Sequence, residues 1–234
     1  MISGLQKMTL LDFPGKVACT VFLQGCNYRC PFCHNSPLLP SKGEILMAQE
    51  EFLEFLKKRQ GLLEGVCVSG GEPTLQPGLE TLLDGIKALG FAVKLDTNGS
   101  RPQVLKHLAA RGLLDYVAMD VKNSPSRYGQ TIGLENPKLD AVEESLAFLI
   151  GGDLPHELRT TLVEPLHDET SITEMGRWLG NLVPGRKPKQ LFLQSFVDRD
   201  TVIYEGLCAP VPKTIEHYAE ILGEFVENVT IRNK

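Results

Sequence analysis

VACTVFLQGCNYRCPFC, residues 17–33, joins an apolar run to three cysteines in one short loop. The run at 17–23 is rich in β-branched residues and predicts a buried strand. Cys26, Cys30 and Cys33 follow at its exit with C-x3-C-x2-C spacing. Iron–sulfur clusters of the 4Fe-4S type normally take four cysteine ligands. Three local thiols, with no second C-x2-C elsewhere, therefore predict one 4Fe-4S cluster with an iron left open for a small molecule.

Other cysteine chemistries explain the spacing less well. A structural zinc site usually takes a second ligand pair some distance along the chain, whereas Cys19, Cys67 and Cys208 stand alone. Six cysteines in 234 residues are too few for a disulfide framework. A redox pair at Cys30 and Cys33 would leave Cys26 without a role. Zinc remains the main alternative to the cluster.

Length and composition indicate an ordinary globular protein. A chain of 234 residues can bury one sizeable core, and we expect a single domain over residues 1–234. The 24 basic and 29 acidic residues give a net charge of −5, which argues against a nucleic-acid partner. No apolar stretch approaches the ~18 residues of a membrane span, and residues 1–15 do not resemble a signal peptide. These features predict a cytoplasmic protein without a membrane partner, in a compartment where thiols stay reduced.

Strand-like and helix-like segments alternate along the chain. Apolar runs bounded by turn residues predict strands, and segments with helical periodicity lie between them. The predicted strands are 17–24, 65–69, 91–96, 116–121, 158–163 and 190–196, with a short edge strand at 228–232. The predicted helices are 50–59, 79–89, 102–111, 139–150, 171–182 and a last helix that begins at Pro212.

This alternation predicts an α/β fold. Repeated strand–helix units form parallel sheets with right-handed crossovers. A full eight-fold barrel usually takes ~250 residues. We therefore expect a partial (βα)6 TIM-like barrel of parallel strands with outer helices. A doubly wound open sheet is the competing architecture.

Polar residues follow the second and third predicted strands, where ligands collect in parallel α/β folds. Gly70 and Gly71 allow close approach of a ligand to the backbone, and Glu72 suits an ammonium group. A simple strand-to-helix turn would also account for them. DTNG at 96–99 places Asp96, Thr97 and Asn98 where they could hold hydroxyls or a hard cation. A capped turn is the alternative there.

The later strands carry further candidates. Asp120 and Lys122 lie two residues apart and therefore point to the same side, towards a common ligand or as a local ion pair. Arg159 interrupts an apolar strand and is a candidate carboxylate clamp, unless it extends out of the sheet to solvent. Gln194 is polar within the apolar run at 190–196.

Taken together, the strand exits offer an open iron, an ammonium acceptor, hydroxyl partners and a carboxylate partner. S-adenosylmethionine requires this whole set, because it carries an amino acid end, a ribose and a sulfonium. Its amine and carboxylate could bind the open iron.

The motifs are jointly specific. C-x3-C-x2-C with Phe32 before the last cysteine resembles the signature of the radical S-adenosylmethionine superfamily, and GGE at 70–72 resembles its motif for the methionyl amino group. More narrowly, the chain resembles the glycyl-radical-enzyme activating enzymes. The segments that carry this resemblance are LDFPG at 11–15, FLQGC at 22–26, CHN at 33–35, DTNG at 96–99 and DVK at 120–122. The chain is most similar to the activating proteins of anaerobic ribonucleoside-triphosphate reductase, with pyruvate formate-lyase activating enzymes next.

The resemblance implies an activity and a set of roles. A reduced cluster would pass an electron to the sulfonium, and the resulting 5′-deoxyadenosyl radical would take hydrogen from a glycine of a partner glycyl radical enzyme. An electron donor such as flavodoxin or ferredoxin is implied. The expected roles are iron binding for Cys26, Cys30 and Cys33, adenine contact for Phe32, amino-group contact for Gly71 and Glu72, and ribose and carboxylate contact for Asp120 and Lys122. Asp96, Thr97 and Asp120 would frame a monovalent cation.

Two features of this chain differ from those of the activases that it resembles. Pyruvate formate-lyase activases carry a histidine near the sixth strand exit, where this chain has Gln194. Related activases often insert two further clusters after the first strand, but residues 35–65 contain no cysteine. The competing functions are a pyruvate formate-lyase-type activase and a radical enzyme that modifies a small molecule, such as a deazaguanine synthase. An electron carrier or a zinc-stabilised binding module would leave GGE, DTNG and DVK unexplained.

Overall fold

The computed structural model describes residues 2–40 and 43–232. Within these residues, eight strands and seven helices alternate along most of the chain. They are β1 (Ile2–Thr9), β2 (Ala18–Leu23), α1 (Gln49–Lys57), β3 (Gly65–Gly70), α2 (Leu79–Ala88), β4 (Ala92–Thr97), α3 (Pro102–Ala110), β5 (Tyr116–Asp120), α4 (Tyr128–Ile132), α5 (Leu139–Gly151), β6 (His156–Leu162), α6 (Glu169–Asn181), β7 (Leu191–Ser195), α7 (Pro212–Gly223) and β8 (Val229–Arg232).

The strands form a mostly parallel sheet whose order follows the chain from β1 to β8. β1 is antiparallel to β2, whereas β2 with β3, β3 with β4, β6 with β7 and β7 with β8 are parallel. Parallel neighbours need crossover connections, and helices supply them here. The predicted α/β class, with parallel strands and outer helices, is confirmed.

Contacts divide the described chain into two compact units. The first comprises described residues of 2–27, 37–97 and 101–118, and the second comprises 28–36, 98–100 and 119–232. Each unit is made of segments that are far apart in the sequence. The assignment of residues 1–234 to one domain remains a prediction.

The first unit is built on strands with apolar side chains on both faces. Val66, Cys67 and Val68 of β3 are fully buried, as expected for a parallel strand covered on both sides. Phe52 and Leu56 of α1 are four residues apart on one helix face and are also fully buried. The apolar stripe of α1 thus stabilises this unit by packing inward, while its acidic first turn faces solvent.

The second unit contains a charged pair beside its β6–β8 strands. The Glu157 carboxylate is 1% exposed and accepts two hydrogen bonds from the Arg232 guanidinium, at 3.1 and 2.8 Å. The same guanidinium lies 3.4 Å from the ring centre of Phe192. The Arg232 side chain therefore attaches the edge strand β8 to β6 and β7, in addition to the backbone pairing between β7 and β8.

The sequence predicted most elements to within two residues, and the edge strand at 228–232 is confirmed as β8. β1 was missed because residues 5–8 of this strand are half-buried or exposed, so that its apolar pattern is weak. α4 was missed because five residues are too few to show a helical period. Within the described residues, no helix combines the length and apolarity needed to cross a membrane.

We predict that Arg232→Met lowers the free energy of unfolding by about 3 kcal/mol, because it removes the bidentate partner of a buried carboxylate. Urea denaturation would measure the change. The double variant Glu157→Met/Arg232→Met should recover much of the loss, because no charge is then buried. Lys57→Met, which removes an exposed pair with Glu54, is the control and should have little effect. A loss in Arg232→Met no larger than in this control would contradict the assigned role of the pair.

Candidate functional site

The exit of β3 packs against the chain that leads into the first cysteine. Glu72 donates its backbone N–H to the Gly25 carbonyl at 2.7 Å. A Cβ on Gly71 would lie 2.2 Å from that same carbonyl oxygen, and Gly70 has φ +134°, which side chains rarely allow. The two glycines therefore allow a contact between backbones that places GGE directly beside the segment entering Cys26.

The Glu72 carboxylate is a buried and fixed negative charge. The residue is 1% exposed. Its Oε1 accepts hydrogen bonds from Thr97 Oγ1 at 2.8 Å and Thr74 N at 3.1 Å, and also from the Thr74 hydroxyl. Glu72 thereby caps the short 3-10 turn Pro73–Leu75. A buried carboxylate held in place by threonine donors suits recognition of an ammonium group.

The DTNG segment at the end of β4 makes two kinds of contact. Asp96 accepts a hydrogen bond from the ammonium group of Lys94, on the same strand β4. Asn98 is buried, and its Oδ1 accepts the Ser100 backbone N–H at 3.0 Å. The Asn98 contact is the capped turn that was the alternative reading of this motif.

Asp120 lies between two cations. Lys122 Nζ is 2.9 Å from Oδ2, and Arg159 Nε is 3.0 Å from Oδ1. Burial acts to raise the pKa of Asp120, but Arg159 and Lys122 outweigh it and hold the pKa well below its usual range. Burial likewise acts to lower the pKa of Lys122, and the Asp120 charge reverses this and raises it. Both groups are therefore ionised at neutral pH.

Lys122 also connects this ion pair to the cysteine loop. Its Nζ lies 6.0 Å from the ring centre of Phe32. Within the loop, Cys33 donates its backbone N–H to the Cys30 carbonyl at 3.1 Å, which closes a turn between the two thiols. Burial raises the pKa of Cys33, while the Asn35 backbone and the Lys122 charge act in the opposite direction. Phe32, Asp120, Lys122 and Arg159 thus belong to one cluster.

The end of the cysteine loop is attached to the segment that follows β7. His34 Nε2 lies 2.6 Å from the Val197 carbonyl oxygen, so Nε2 carries the hydrogen. The His34 ring stacks on Phe196 with 5.6 Å between ring centres and 12° between planes. Ser36 Oγ donates to the Thr201 carbonyl. These contacts fix the chain directly after Cys33.

Gln194 lies one residue before the end of β7. In the ladder between β6 and β7, Arg159 is opposite Phe192 and Thr161 is opposite Gln194. Because residues two apart share a face of a strand, Gln194 and Arg159 project from the same face of the sheet. The register therefore allows Gln194 to serve a ligand held near Arg159, which remains a prediction.

The cysteine chemistry fits an iron–sulfur cluster. All six cysteines lie in the described part of the chain, and none forms a disulfide. Among the described residues, no three Cys, His, Asp or Glu side chains converge as one metal ion would require. A cluster differs in this respect, because each thiolate binds a different iron. The roles of Cys26, Cys30 and Cys33 as its ligands remain predictions. The Lys122 charge acts to lower the pKa of Cys33, but burial outweighs it.

Sequence reasoning missed several residues of the site. Thr74 hydrogen-bonds Glu72, and Lys94 pairs with Asp96, yet neither had been assigned a role. The spacing of Lys94 and Asp96 on one strand was a usable signal, since residues two apart share a face. His167 had no comparable signal, because its partners come from two distant segments.

His167 supports the backbone of the Asp120–Lys122 motif. The residue is 2% exposed. Its Nε2 donates to the Lys122 carbonyl at 2.9 Å. Its Nδ1 lies 3.1 Å from Val163 N and 3.2 Å from the Val163 carbonyl oxygen, and in the neutral ring it accepts the Val163 N–H. Burial lowers the pKa of His167, although its contacts with the backbone of Lys122 and Val163 act to raise it. The ring is therefore neutral near pH 7 and joins the ends of β5 and β6.

Comparison with known proteins identifies relatives over the whole chain. The sequence profile of the Radical SAM superfamily matches residues 20–171. A Methanocaldococcus jannaschii protein, named provisionally as a glycyl-radical enzyme activating enzyme, is 30% identical over 99% of this chain and 95% of its own length. A pyruvate formate-lyase-activating enzyme of Streptococcus mutans is 28% identical over 78% of this chain and 73% of its own.

A solved structure supports the fold. TYW1 with a lysine–pyruvate adduct bound superposes with a TM-score of 0.64 over 93% of this chain and 76% of its own, at 16% sequence identity. At that identity the likeness concerns the fold alone. The predicted architecture, a partial barrel of parallel strands with outer helices, is confirmed.

We predict that stability falls as pH decreases below about 6.5. The lowered pKa of His167 means that the unfolded chain binds a proton before the folded chain does, so protonation favours unfolding. The free energy of unfolding should fall by up to about 1.4 kcal/mol per pH unit for this one proton. Urea denaturation between pH 7 and pH 5 would measure the slope.

His167→Gln should remove that part of the slope, because glutamine can donate and accept without titrating in this range. His156, whose pKa burial also lowers, should leave a remaining dependence. His107→Gln alters an exposed ring and is the matched control. An unchanged slope in His167→Gln would refute the assignment.

Proposed function

Because the chain belongs to the radical S-adenosylmethionine superfamily and is a glycyl-radical enzyme activating enzyme, we propose that it acts on an anaerobic ribonucleotide reductase. The observation that carries this choice is Gln194 at the β7 exit, where pyruvate formate-lyase activases carry a histidine. The motifs at 11–15, 22–26 and 33–35 resemble those of glycyl-radical-enzyme activating enzymes, among which the chain most resembles the reductase activating proteins. The partner's reacting group would be a backbone glycine.

The family implies a 4Fe-4S cluster and S-adenosylmethionine. We assign Cys26, Cys30 and Cys33 as the cluster ligands, and we expect a single cluster because residues 35–65 contain no cysteine. A reduced cluster held by these three thiolates would supply one electron for the reductive cleavage of S-adenosylmethionine, which would enable hydrogen abstraction from the partner's glycine. The protein contributes orientation and shielding.

The other site residues are assigned to the cofactor by their chemistry. The buried Glu72 carboxylate would accept the methionyl ammonium, with Gly70 and Gly71 permitting close backbone approach. Lys122 and Arg159 hold Asp120 in place, so that its oxygens are oriented before a ribose arrives. We assign Phe32 to contact with the adenine, and Thr97 and Asn98 to contact with polar groups of the cofactor. Gln194 would contact the cofactor where pyruvate formate-lyase activases use a histidine.

The reaction also needs a reducing partner. A flavodoxin or a ferredoxin would supply the electron, as the resemblance implies. We place the reaction in the cytoplasm, where reduced thiols persist.

We predict that the cluster-loaded protein, with reductant and S-adenosylmethionine under anaerobic conditions, generates a glycine-centred doublet on an anaerobic ribonucleotide reductase. Electron paramagnetic resonance on mixtures with candidate partners would detect it. The same mixture with Cys30→Ala is the control and should give no signal, because a cluster ligand is lost.

A pyruvate formate-lyase is the second partner to test, because the Streptococcus mutans relative activates that enzyme by name. A doublet on the lyase and none on the reductase would overturn the proposed partner. Formation of 5′-deoxyadenosine without a doublet on either would favour a small-molecule substrate.

We predict that Glu72→Gln keeps about four irons per chain but weakens S-adenosylmethionine binding at least tenfold. The amide can still accept from Thr97 and Thr74, so the turn is preserved while the negative charge is lost. Equilibrium dialysis and iron analysis would measure the two quantities. Glu64→Gln is the matched control, because it alters an exposed carboxylate that accepts a hydrogen bond from the Val17 backbone N–H. Equal affinity in the Glu72 variant and this control would show that the ammonium contact was assigned wrongly.

A further inference from the structure

Lys94 is a buried cation that the proposed reaction does not use. It lies on β4 opposite Cys67 of β3, and the residue is only 1% exposed. Its Nζ lies 3.8 Å from Cys67 Sγ. A fully buried lysine is rare because removing an ammonium from water is costly unless it is paired. A compensating charge must therefore lie close by.

Asp96 supplies that charge. Because it follows Lys94 by two residues on the same strand, both side chains project from one face of β4. The Lys94 ammonium donates a hydrogen bond to Asp96 Oδ1, and the Asp96 side chain is 16% exposed. The ammonium thus approaches Asp96 from the interior, while the carboxylate keeps some access to solvent.

A diffusible cation does not fit these carboxylates well. The family resemblance predicts a monovalent cation framed by Asp96, Thr97 and Asp120. A hard cation requires oxygen ligands whose negative charge is not already compensated. Asp96 is paired with Lys94, and Asp120 is paired with both Lys122 and Arg159.

Like charges on one carboxylate also repel each other. A sodium or potassium ion bound to Asp96 would lie close to the Lys94 ammonium in a site with little water to screen the repulsion. The Thr97 hydroxyl donates its hydrogen to Glu72, so its oxygen could still face an ion. A neutral hydroxyl oxygen does not by itself offset this repulsion.

We propose that the Lys94 ammonium takes the place of a monovalent cation beside Asp96, so that S-adenosylmethionine binding does not depend on sodium or potassium. The inference rests on the proposed function and on the expectation, implied by the family resemblance, that Asp96 belongs to the cofactor site. Lysine provides a single positive charge with three donors, which can orient a carboxylate as a small cation would. Because it is part of the strand, it is present at any salt composition.

The test is the salt dependence of S-adenosylmethionine affinity, measured by equilibrium dialysis on the cluster-loaded protein. Potassium, sodium and choline chloride are compared at one ionic strength. The wild-type dissociation constant should agree within twofold among the three salts. A fivefold or greater tightening by potassium or sodium over choline would overturn the proposal without any variant.

Lys94→Met keeps the length of the side chain and removes its charge. Its affinity in choline should fall about tenfold, and potassium or sodium should restore it in a saturable manner, because Asp96 then has room for the ion. Unchanged affinity in choline, or a loss that neither ion restores, would overturn the proposal. If the variant does not fold, as judged by circular dichroism, Lys94→Gln takes its place.

Lys87→Met is the matched control. Lys87 forms a pair with Asp115 at 2.8 Å on the same unit, outside the proposed cofactor site. Its affinity should remain independent of the salt. The salt dependence of S-adenosylmethionine affinity does not depend on which partner enzyme is activated. The partner is identified separately, by the glycine-centred doublet.

Discussion

The close approach of β3 to the chain before the first cysteine is the constraint on which the arrangement of the site depends. The contact requires glycine at position 71, because a Cβ there would overlap the Gly25 carbonyl. It also uses the Glu72 N–H to satisfy that carbonyl. One short motif therefore fixes the position of a backbone, a turn and a buried carboxylate.

Charge pairing is the second organising feature, and it repeats along the strands. Lys94 with Asp96, Asp120 with Lys122 and Arg159, and Glu157 with Arg232 each place ionised groups where water is scarce. Such pairs contribute little net stability compared with apolar packing, but breaking one is costly. Their value here is geometric. Fixed charges need not reorganise when a charged ligand binds, which is the condition for electrostatic catalysis.

The sequence was sufficient for most of the fold and for part of the site. Strand and helix positions followed from apolar periodicity, whereas β1 has too few buried residues for that pattern to show. The spacing of Asp120 and Lys122 predicted either a common ligand or a local ion pair, and the structure contains the ion pair. The same spacing of Lys94 and Asp96 allowed the same interpretation. Arg159 is different. Its contact with Asp120 depends on how β5 and β6 align, and a single sequence does not give that register.

A lysine and a bound monovalent cation can each compensate the charge of the Asp96 carboxylate, but they lose their hydration at different stages. An ion brings its charge only at sufficient concentration and loses its hydration shell each time it binds, so the site changes with the salt composition. Lys94 loses its hydration once, on folding, and Asp96 offsets that loss. The lysine also fixes the distance of the charge from the strand, because its stem is packed within the core beside Cys67. If Lys94 acts as proposed, a buried lysine two residues before the aspartate of a DTNG motif predicts cofactor binding that does not depend on a monovalent cation.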